Sequence, residues 1–296
     1  MNDKINDNTN DICFCGYNKD INKPTCCNEC FLCKGHGPLC KKIISNNSKD
    51  NTKITKIVHK TGPNTTQFDK LKNVFDNDKK YLFNNLIYYN DDDCDNIIRN
   101  NFPNQIYLAY KSLIPPAFKS DIFRYCIIYL QGGIYLDLTN TFVKKYNIDD
   151  NIDIILVKDR PHNNLDRVQI SFIASKPRLN FFKFLLINIS DNILKKKYGI
   201  EPLDITGPRA FMKYFSIFFR MNKLRMGTYV VKGIDNKNYK IQCLLQDVGN
   251  YKIKNLNNET VIKSKILGEN MHREILNDKN RNKDYAKLWN EKKVFL

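Results

Sequence analysis

The chain has 296 residues, 42% of them hydrophobic, and a formal net charge of +17. This is enough apolar sequence for the core of one enzyme-sized domain plus an extension. No apolar run of about 18 residues occurs, which excludes a membrane-spanning helix, and the polar start shows no secretory signal, so we expect a cytoplasmic protein. The positive charge suggests a polyanionic partner such as nucleic acid, an acidic surface or a nucleotide diphosphate, although compositional bias explains it equally well.

Seven of the ten cysteines lie in one N-terminal segment. With one histidine they form a set of candidate zinc ligands: Cys13, Cys15, Cys26, Cys27, Cys30, Cys33, His36 and Cys40. Without a secretory signal, zinc is favoured over disulfides, because two-residue spacers let thiolates meet one ion at about 2.3 Å. The spacing matches no single zinc-finger type, so a reduced, disordered tail is the alternative. We expect residues 1–50 to be this extension and its linker, and residues 51–296 to be the main domain.

The main domain is predicted to open with a short strand in residues 53–62, closed by Gly62-Pro63. In an open α/β sheet, ligands bind beyond the carboxyl ends of the strands. His59, Lys60 and Thr61 are therefore candidate nucleotide-binding residues. For His59, a hydrogen-bonded position in the core is an equally good interpretation.

A helix is predicted from residue 65 onward, and residues 81–89 are predicted to form a second strand. Three acids, Asp91 to Asp93, precede another predicted helix at residues 94–102. We assign these acids to helix capping rather than to a metal, because the positive N-terminal end of a helix stabilises carboxylates.

Residues 119–139 are the most informative stretch of the chain. Apolar residues recur at three- and four-residue spacing up to Leu130, which predicts a helix that places Asp121 and Arg124 one turn apart. Gly132-Gly133 predicts the end of this helix, since a left-handed residue is needed there. Residues 134–138 then predict a short buried strand with a carboxylate, Asp137, at its end.

This stretch resembles the sugar-nucleotide-binding segment of the DXD-type glycosyltransferases, which include α-1,6-mannosyltransferases and capsular polysaccharide transferases. Eight residues match the pattern of that family at its spacing: Ser120, Asp121, Arg124, Tyr125, Gly132, Gly133, Tyr135 and Asp137. The second Asp of the motif does not match, because Thr139 stands in its place. A buried helix and strand with a surface ion pair is the alternative interpretation.

The resemblance implies an α/β, GT-A-like nucleotide-sugar-binding fold with a mainly parallel central sheet. It also implies hexosyl transfer from a nucleotide-diphosphate-sugar to a glycan or protein acceptor, with retention of anomeric configuration. By the same resemblance, Asp137 holds the ribose and a divalent cation, Mn or Mg, while Asp121 and Arg124 hold the hydroxyls of the sugar. Tyr135 supports the end of the strand.

The replacement at residue 139 bears directly on the cation. Side chains repeat every two positions along a strand, so residues 137 and 139 are expected to face one ion together. A neutral Thr139 oxygen predicts weaker cation binding, and His272 is a further candidate ligand by a loose match. The site is then expected to hold a metal only with the donor, to use Lys or Arg instead of the ion, or to be inactive.

The rest of the chain continues the α/β pattern. Strands are predicted at residues 152–157 and 168–175, and a long helix from about residue 180. Thr206 is predicted to cap a helix that begins near Pro208. Short strands alternate with turns after it, and Trp289 is expected to anchor the tail, with covering of a nucleotide base as the alternative.

Two other classes of function compete with sugar transfer. The first is a catalytically inactive glycosyltransferase-like scaffold that binds glycan or protein, which the absence of donor hydrolysis would indicate. The second is a zinc-dependent, basic nucleic-acid-binding protein, which the net charge and the cysteines support, although the sequence shows no recognisable reading motif. A steep salt dependence of DNA or RNA binding would indicate that class.

Overall fold

The computed structural model describes residues 53–63, 68–82, 85–159, 167–247, 252–264 and 284–296. The N-terminal cysteines, His36 and His272 lie outside these residues, so the zinc prediction and the candidate role of His272 stay predictions. The helices are α1 (Phe68–Leu82), α2 (Asp91–Asn101), α3 (Asn104–Ser112), α4 (Pro116–Gln131), α5 (Asn180–Leu194), α6 (Pro208–Phe219) and α7 (Tyr285–Asn290), with a 3₁₀ turn at Pro202–Asp204.

The strands form one mixed sheet. They are β1 (Val58–Thr61), β2 (Leu86–Tyr89), β3 (Gly133–Leu136), β4 (Thr141–Phe142), β5 (Ile154–Lys158), β6 (Phe172–Ser175), β7 (Gly227–Lys232), β8 (Asn238–Asp247), β9 (Lys252–Lys254) and β10 (Thr260–Lys263). Their order is β2-β1-β3-β6-β5-β8-β9-β10-β4, and β7 pairs with β8. The predicted α/β class is confirmed.

The prediction of a mainly parallel sheet was wrong. Only β1–β2, β1–β3 and β5–β8 pair in parallel, and the other six described pairs are antiparallel. Parallel neighbours need long crossover connections, which the helices between β1, β2 and β3 supply. In the C-terminal third, β7 to β10 follow one another after short connections, and such connections join antiparallel neighbours.

The chain segments that form the candidate site lie at one edge of the sheet. The carboxyl ends of β1, β2 and β3 lie there because these strands run in parallel. Since β6 is antiparallel to β3, its first residue, Phe172, pairs with Leu136 at the same edge. We call this side of the sheet the carboxyl edge.

Helix α4 forms as predicted. Pro116 occupies its first turn, and the helix ends at Gly132, where φ is 65°, followed by Gly133 with φ of 88°. Most of the helix is buried between the sheet and neighbouring helices. Side chains on its buried face include Phe118, Ile122, Phe123, Cys126 and Ile127.

Two other helix starts test the predicted caps. At α2, Asn90 and Asp93 form a reciprocal capping box, which confirms a capping role for the acids. At α6, the N-cap is Gly207 and Pro208 is in the first turn, so the prediction of Thr206 as the cap was wrong. The observed strand β2 (Leu86–Tyr89) is shorter than the strand predicted at residues 81–89, because α1 continues to Leu82.

Helices α5 and α6 pack through phenylalanines. The ring of Phe181 lies 5.2 Å from Phe211, 5.6 Å from Phe215 and 5.7 Å from Phe218. Such aromatic packing fixes α6, and with it the loop that precedes α6 at the carboxyl edge.

The last residues of the chain pair with the segment between α3 and α4. Leu113 and Phe295 form an antiparallel bridge, the Ile114 amide donates to the Val294 carbonyl, and the Leu296 amide donates to the Ser112 carbonyl. The C-terminus is therefore attached just before the helix that carries Asp121 and Arg124.

Candidate active site

The chain turns sharply at the carboxyl end of β3. The strand ends at Leu136, and residues 137–140 form a turn in which the Asn140 amide donates to the Asp137 carbonyl at 2.9 Å. The Asp137 amide donates to the Ser171 carbonyl at 2.8 Å, which ties this turn to the segment before β6. The Asp137 side chain is 37% exposed, so its carboxylate is open to a ligand.

Arg124 joins two carboxylates from different elements. Its Nη2 lies 3.0 Å from Asp121 Oδ1, one turn away on α4, and its Nη1 lies 3.2 Å from Asp137 Oδ1. Nη1 also donates to the Ile170 carbonyl at 2.6 Å, and the guanidinium lies 4.6 Å from the centre of the Tyr135 ring. Asp121, Arg124 and Asp137, which we call the Arg124 cluster, thus lie together, and the spacing of Asp121 and Arg124 by one helical turn is as predicted.

Asp121 receives a second polar contact that the sequence did not predict. Thr206 Oγ1 donates to Asp121 Oδ2 at 2.8 Å, and the Tyr125 hydroxyl donates to the Thr206 carbonyl at 2.8 Å. Burial raises the pKa of Asp121 to about 6, against the opposing effects of Arg124 and the Thr206 hydroxyl. A carboxylate with this pKa changes its charge close to neutral pH.

Lys60 lies beneath the turn, out of contact with solvent. Its Nζ is 3.0 Å from Asp78 Oδ2 on α1, and both side chains are fully buried. The same ammonium donates to the carbonyls of Asp137 at 3.2 Å, Leu138 at 3.4 Å and Asn140 at 2.6 Å. Burial lowers the pKa of Lys60, and the charge of Asp78 opposes that effect.

His59 is a core residue rather than a surface ligand. Its Nε2 is 2.9 Å from the Gly132 carbonyl, which only accepts, so Nε2 carries the proton and Nδ1 accepts from the Tyr89 hydroxyl at 3.0 Å. Burial lowers the pKa of His59 to about 4. Thr61 is also buried, and its hydroxyl contacts Cys94 Sγ at 3.3 Å. The side chains of His59, Lys60 and Thr61 therefore contact protein, in contrast to the expectation that they face a nucleotide.

Residues 137 and 139 do not share one face, so that expectation was wrong. The alternation of a strand does not apply here because β3 ends at Leu136, and Thr139 is fully buried while Asp137 is exposed. Within the described ranges, no three His, Cys, Asp or Glu side chains are grouped as ligands for a metal. The described residues therefore do not fit a metal site by themselves, since Asp137 offers one exposed carboxylate.

Two further polar residues lie near the carboxyl edge. Gln169 Nε2 is 3.4 Å from Gln246 Oε1 on β8, and Ser171 is buried, with its carbonyl holding the Asp137 amide. Both residues precede β6, which begins at Phe172. Ser171 therefore acts on the site through its backbone.

Tyr285 and Trp289 lie on α7, and Tyr285 is close to the start of α4. The ring of Tyr285 is 5.5 Å from that of Phe118, and its pKa is raised by burial and by the nearby charge of Asp121. Trp289 Nε1 donates to the Tyr198 carbonyl at 2.9 Å, which confirms the predicted anchoring of the tail. Tyr285, 38% exposed, is a residue near the site that sequence reasoning missed.

Comparison with known proteins agrees with the resemblance seen in the sequence. Residues 49–159 match the family described as glycosyltransferase sugar-binding region containing DXD motif. This segment is just over a third of the chain and contains the Arg124 cluster. The resemblance to DXD glycosyltransferases is thereby confirmed over these residues.

Comparison with solved structures finds a PaToxG glycosyltransferase, aligned over 55% of this chain and 69% of its own, with a TM-score of 0.44 and 18% identity. Comparison with curated proteins gives no match. None of the described helices has the length and apolar character needed to cross a bilayer.

Proposed function

Because residues 49–159 match the sugar-binding region of the DXD glycosyltransferases, we propose that the protein transfers a hexosyl group from a nucleotide-diphosphate-sugar to a glycan or protein acceptor. The proposal extends to a GT-A-like arrangement and to retention of anomeric configuration. One observation carries it: Arg124 holds Asp121 and Asp137 together at the carboxyl edge, the side of an α/β sheet where ligands bind.

The proposed reaction breaks the bond between the anomeric carbon and the diphosphate oxygen. The bonding electrons leave with the diphosphate, the sugar becomes oxocarbenium-like, and a hydroxyl oxygen of the acceptor bonds to the anomeric carbon and loses its proton. Catalysis then requires groups that orient the sugar and stabilise the developing charges.

Each residue of the Arg124 cluster has a proposed part in this reaction. Asp121 accepts hydrogen bonds from hydroxyls of the transferred sugar, and Arg124 donates to the sugar while it keeps both carboxylates in place. Asp137, the most exposed of the three, accepts from the ribose of the donor. Tyr135 supports Arg124 through its ring.

The family generally uses a divalent cation, and we propose that Mn or Mg enters with the donor. Such an ion would neutralise charge on the departing diphosphate. Since the described residues offer Asp137 alone, most oxygen ligands would come from the diphosphate and water.

Hydrolysis of a panel of UDP- and GDP-sugars, with manganese or with a chelator, tests the proposal. We expect one donor to be hydrolysed, and Arg124→Lys to lower this rate by about 100-fold or more, because an ammonium cannot bridge two carboxylates in fixed geometry. Arg178→Lys is the matched control, since Arg178 also lies over a tyrosine ring, 5.1 Å from that of Tyr129. Arg178→Lys should change the rate by less than about threefold relative to the wild-type protein, because Arg178 lies outside the Arg124 cluster.

One observation favours a second candidate, an inactive glycosyltransferase-like scaffold. Thr139 is buried where the family motif has its second Asp, and the turn exposes a single carboxylate. If calorimetry with the same donors shows no binding and no donor is hydrolysed, sugar transfer is overturned. That result, with manganese present, would favour the scaffold, which keeps the fold to bind glycan or protein.

A further inference from the structure

Lys60 is a buried charge that the proposed reaction does not use. Its ammonium contacts four oxygen acceptors: Asp78 Oδ2 and the carbonyls of Asp137, Leu138 and Asn140. A lysine ammonium has only three N–H donors, so protein acceptors account for all of its capacity. Because Lys60 is fully buried, it does not reach a bound diphosphate.

Asp78 fixes the other end of the same turn. Its Oδ1 accepts from the Thr141 hydroxyl and from the Phe142 amide, each at 2.9 Å, while Oδ2 pairs with Lys60. One lysine from β1 and one aspartate from α1 thus hold the backbone from Asp137 to Phe142. The sequence separates Lys60 from this turn by 77 to 80 positions, so the contacts depend on the tertiary fold.

Stability alone does not explain a fully buried ion pair. Removing two charges from water costs several kcal/mol, and well-packed apolar residues are often as stable in the same place. The pair instead fixes the backbone of the turn, because Lys60 binds the carbonyl groups of Asp137, Leu138 and Asn140, and the same turn presents the Asp137 carboxylate.

We infer that the Lys60–Asp78 pair is a positioning device that holds the 137–140 turn so that the Asp137 carboxylate faces Arg124 and the donor. The inference rests on the proposed function for its consequence in catalysis. The structural part of the inference, that the pair orders this turn, does not depend on the proposed function. Lys60 and Asp78 are positioning residues, since neither contacts substrate.

Hydrogen exchange tests the structural part without any activity assay. Lys60→Met keeps the length of the side chain and removes its charge and donors. We expect amide exchange in residues 137–142 to rise at least about tenfold, while exchange in β6 of the same sample changes less than about twofold. The comparison with β6 separates loss of order in the turn from general destabilisation.

Lys176→Met is the matched control. Lys176 pairs with Asp153 at 2.9 Å, beyond the end of β6 that is remote from the turn. This variant loses an ion pair as well, but we expect exchange in residues 137–142 to stay as in the wild-type protein. If Lys60→Met does not fold, Asp78→Ala replaces it, because this change removes the acceptor for Thr141, Phe142 and Lys60. Unchanged exchange of the turn in the folded variant would overturn the inference.

Kinetics of donor hydrolysis test the catalytic part. Well below the melting temperature, Lys60→Met should lower kcat/KM for the donor by about 100-fold, and Lys176→Met by less than about twofold. A variant with a disordered turn and wild-type kcat/KM would overturn the positioning of Asp137. If the wild-type protein hydrolyses no donor but exchange in the turn still rises, the proposed function fails while the structural part of the inference is supported.

Discussion

At the scale of single residues, Asp121 combines burial with two strong hydrogen-bonding partners. Burial favours its neutral form, whereas Arg124 and Thr206 favour the carboxylate, and the outcome is a pKa raised to about 6. In the proposed mechanism the charged form is needed, because it holds Arg124 and accepts from sugar hydroxyls. The protein therefore carries a titrating group inside the Arg124 cluster.

We predict that kcat/KM for donor hydrolysis falls as the pH drops below about 6, because protonated Asp121 loses its attraction for Arg124. The measurement is a pH profile of kcat/KM between pH about 5 and about 8. Asp121→Asn is the control, since it cannot titrate: its activity should be low and show no acid limb at this pH. A wild-type profile that stays flat down to pH about 5 would contradict the prediction.

At the scale of elements, the junction between α4 and β3 decides where the Arg124 cluster forms. Gly132 and Gly133 both have positive φ, and the backbone here is packed closely. A Cβ at Gly133 would lie 2.7 Å from the Ile57 carbonyl oxygen and 3.2 Å from His59 Nε2. The junction thus requires glycine for both its conformation and its space.

Gly133→Ala is predicted to destabilise the protein by about 3 kcal/mol, from backbone strain together with a steric clash. Urea titration of the variant and the wild-type protein gives the free energies of unfolding, whose difference is this loss. Gly227→Ala is a matched control, because Gly227 also has positive φ, 131°, yet an added Cβ there meets nothing within 4 Å. Equal losses in the two variants would show that strain alone is responsible and that the close approach is unimportant.

The sequence predicts this junction well because its signals are local. Helical periodicity and two adjacent glycines are enough to place Asp121, Arg124 and the end of the helix. The turn after Leu136 was not predictable in the same way. It replaces the strand alternation expected for residues 137 and 139, and its contacts come from Lys60 and Asp78, far away in the chain.

Thr206 shows the same limit. The sequence presents it as a helix cap, since Thr before Gly-Pro is typical of a helix start. Its hydroxyl instead donates to Asp121, 85 positions earlier in the chain. Local pattern identifies the polar side chain, but only packing of α5 and α6 brings it to the carboxyl edge.

At the scale of the whole molecule, His59 connects β1, β2 and the end of α4 through two hydrogen bonds. Its pKa of about 4 lies below the usual 6.5, so folding excludes a proton that the unfolded chain binds. Between these two pH values the unfolded state holds more protons, and stability must therefore fall as the pH falls. Once the pH is below both pKa values, the free energy of unfolding has lost about 3 kcal/mol because of His59.

We predict that the free energy of unfolding declines more steeply between pH about 7 and about 4.5 in the wild-type protein than in His59→Gln, which cannot titrate. Urea titrations at several pH values give the difference, and carboxylates contribute equally to both proteins. The variant is expected to be less stable than wild type at neutral pH. Parallel pH dependences would contradict the prediction.

The bridge between Leu113 and Phe295 has a consequence for synthesis on the ribosome. Phe295 is translated about 180 residues after Leu113, which takes about 10 to 40 s at ordinary elongation rates. During that time the segment that leads into α4 lacks its β partner. A nascent chain therefore completes the pairing of Leu113 only after Phe295 has left the exit tunnel.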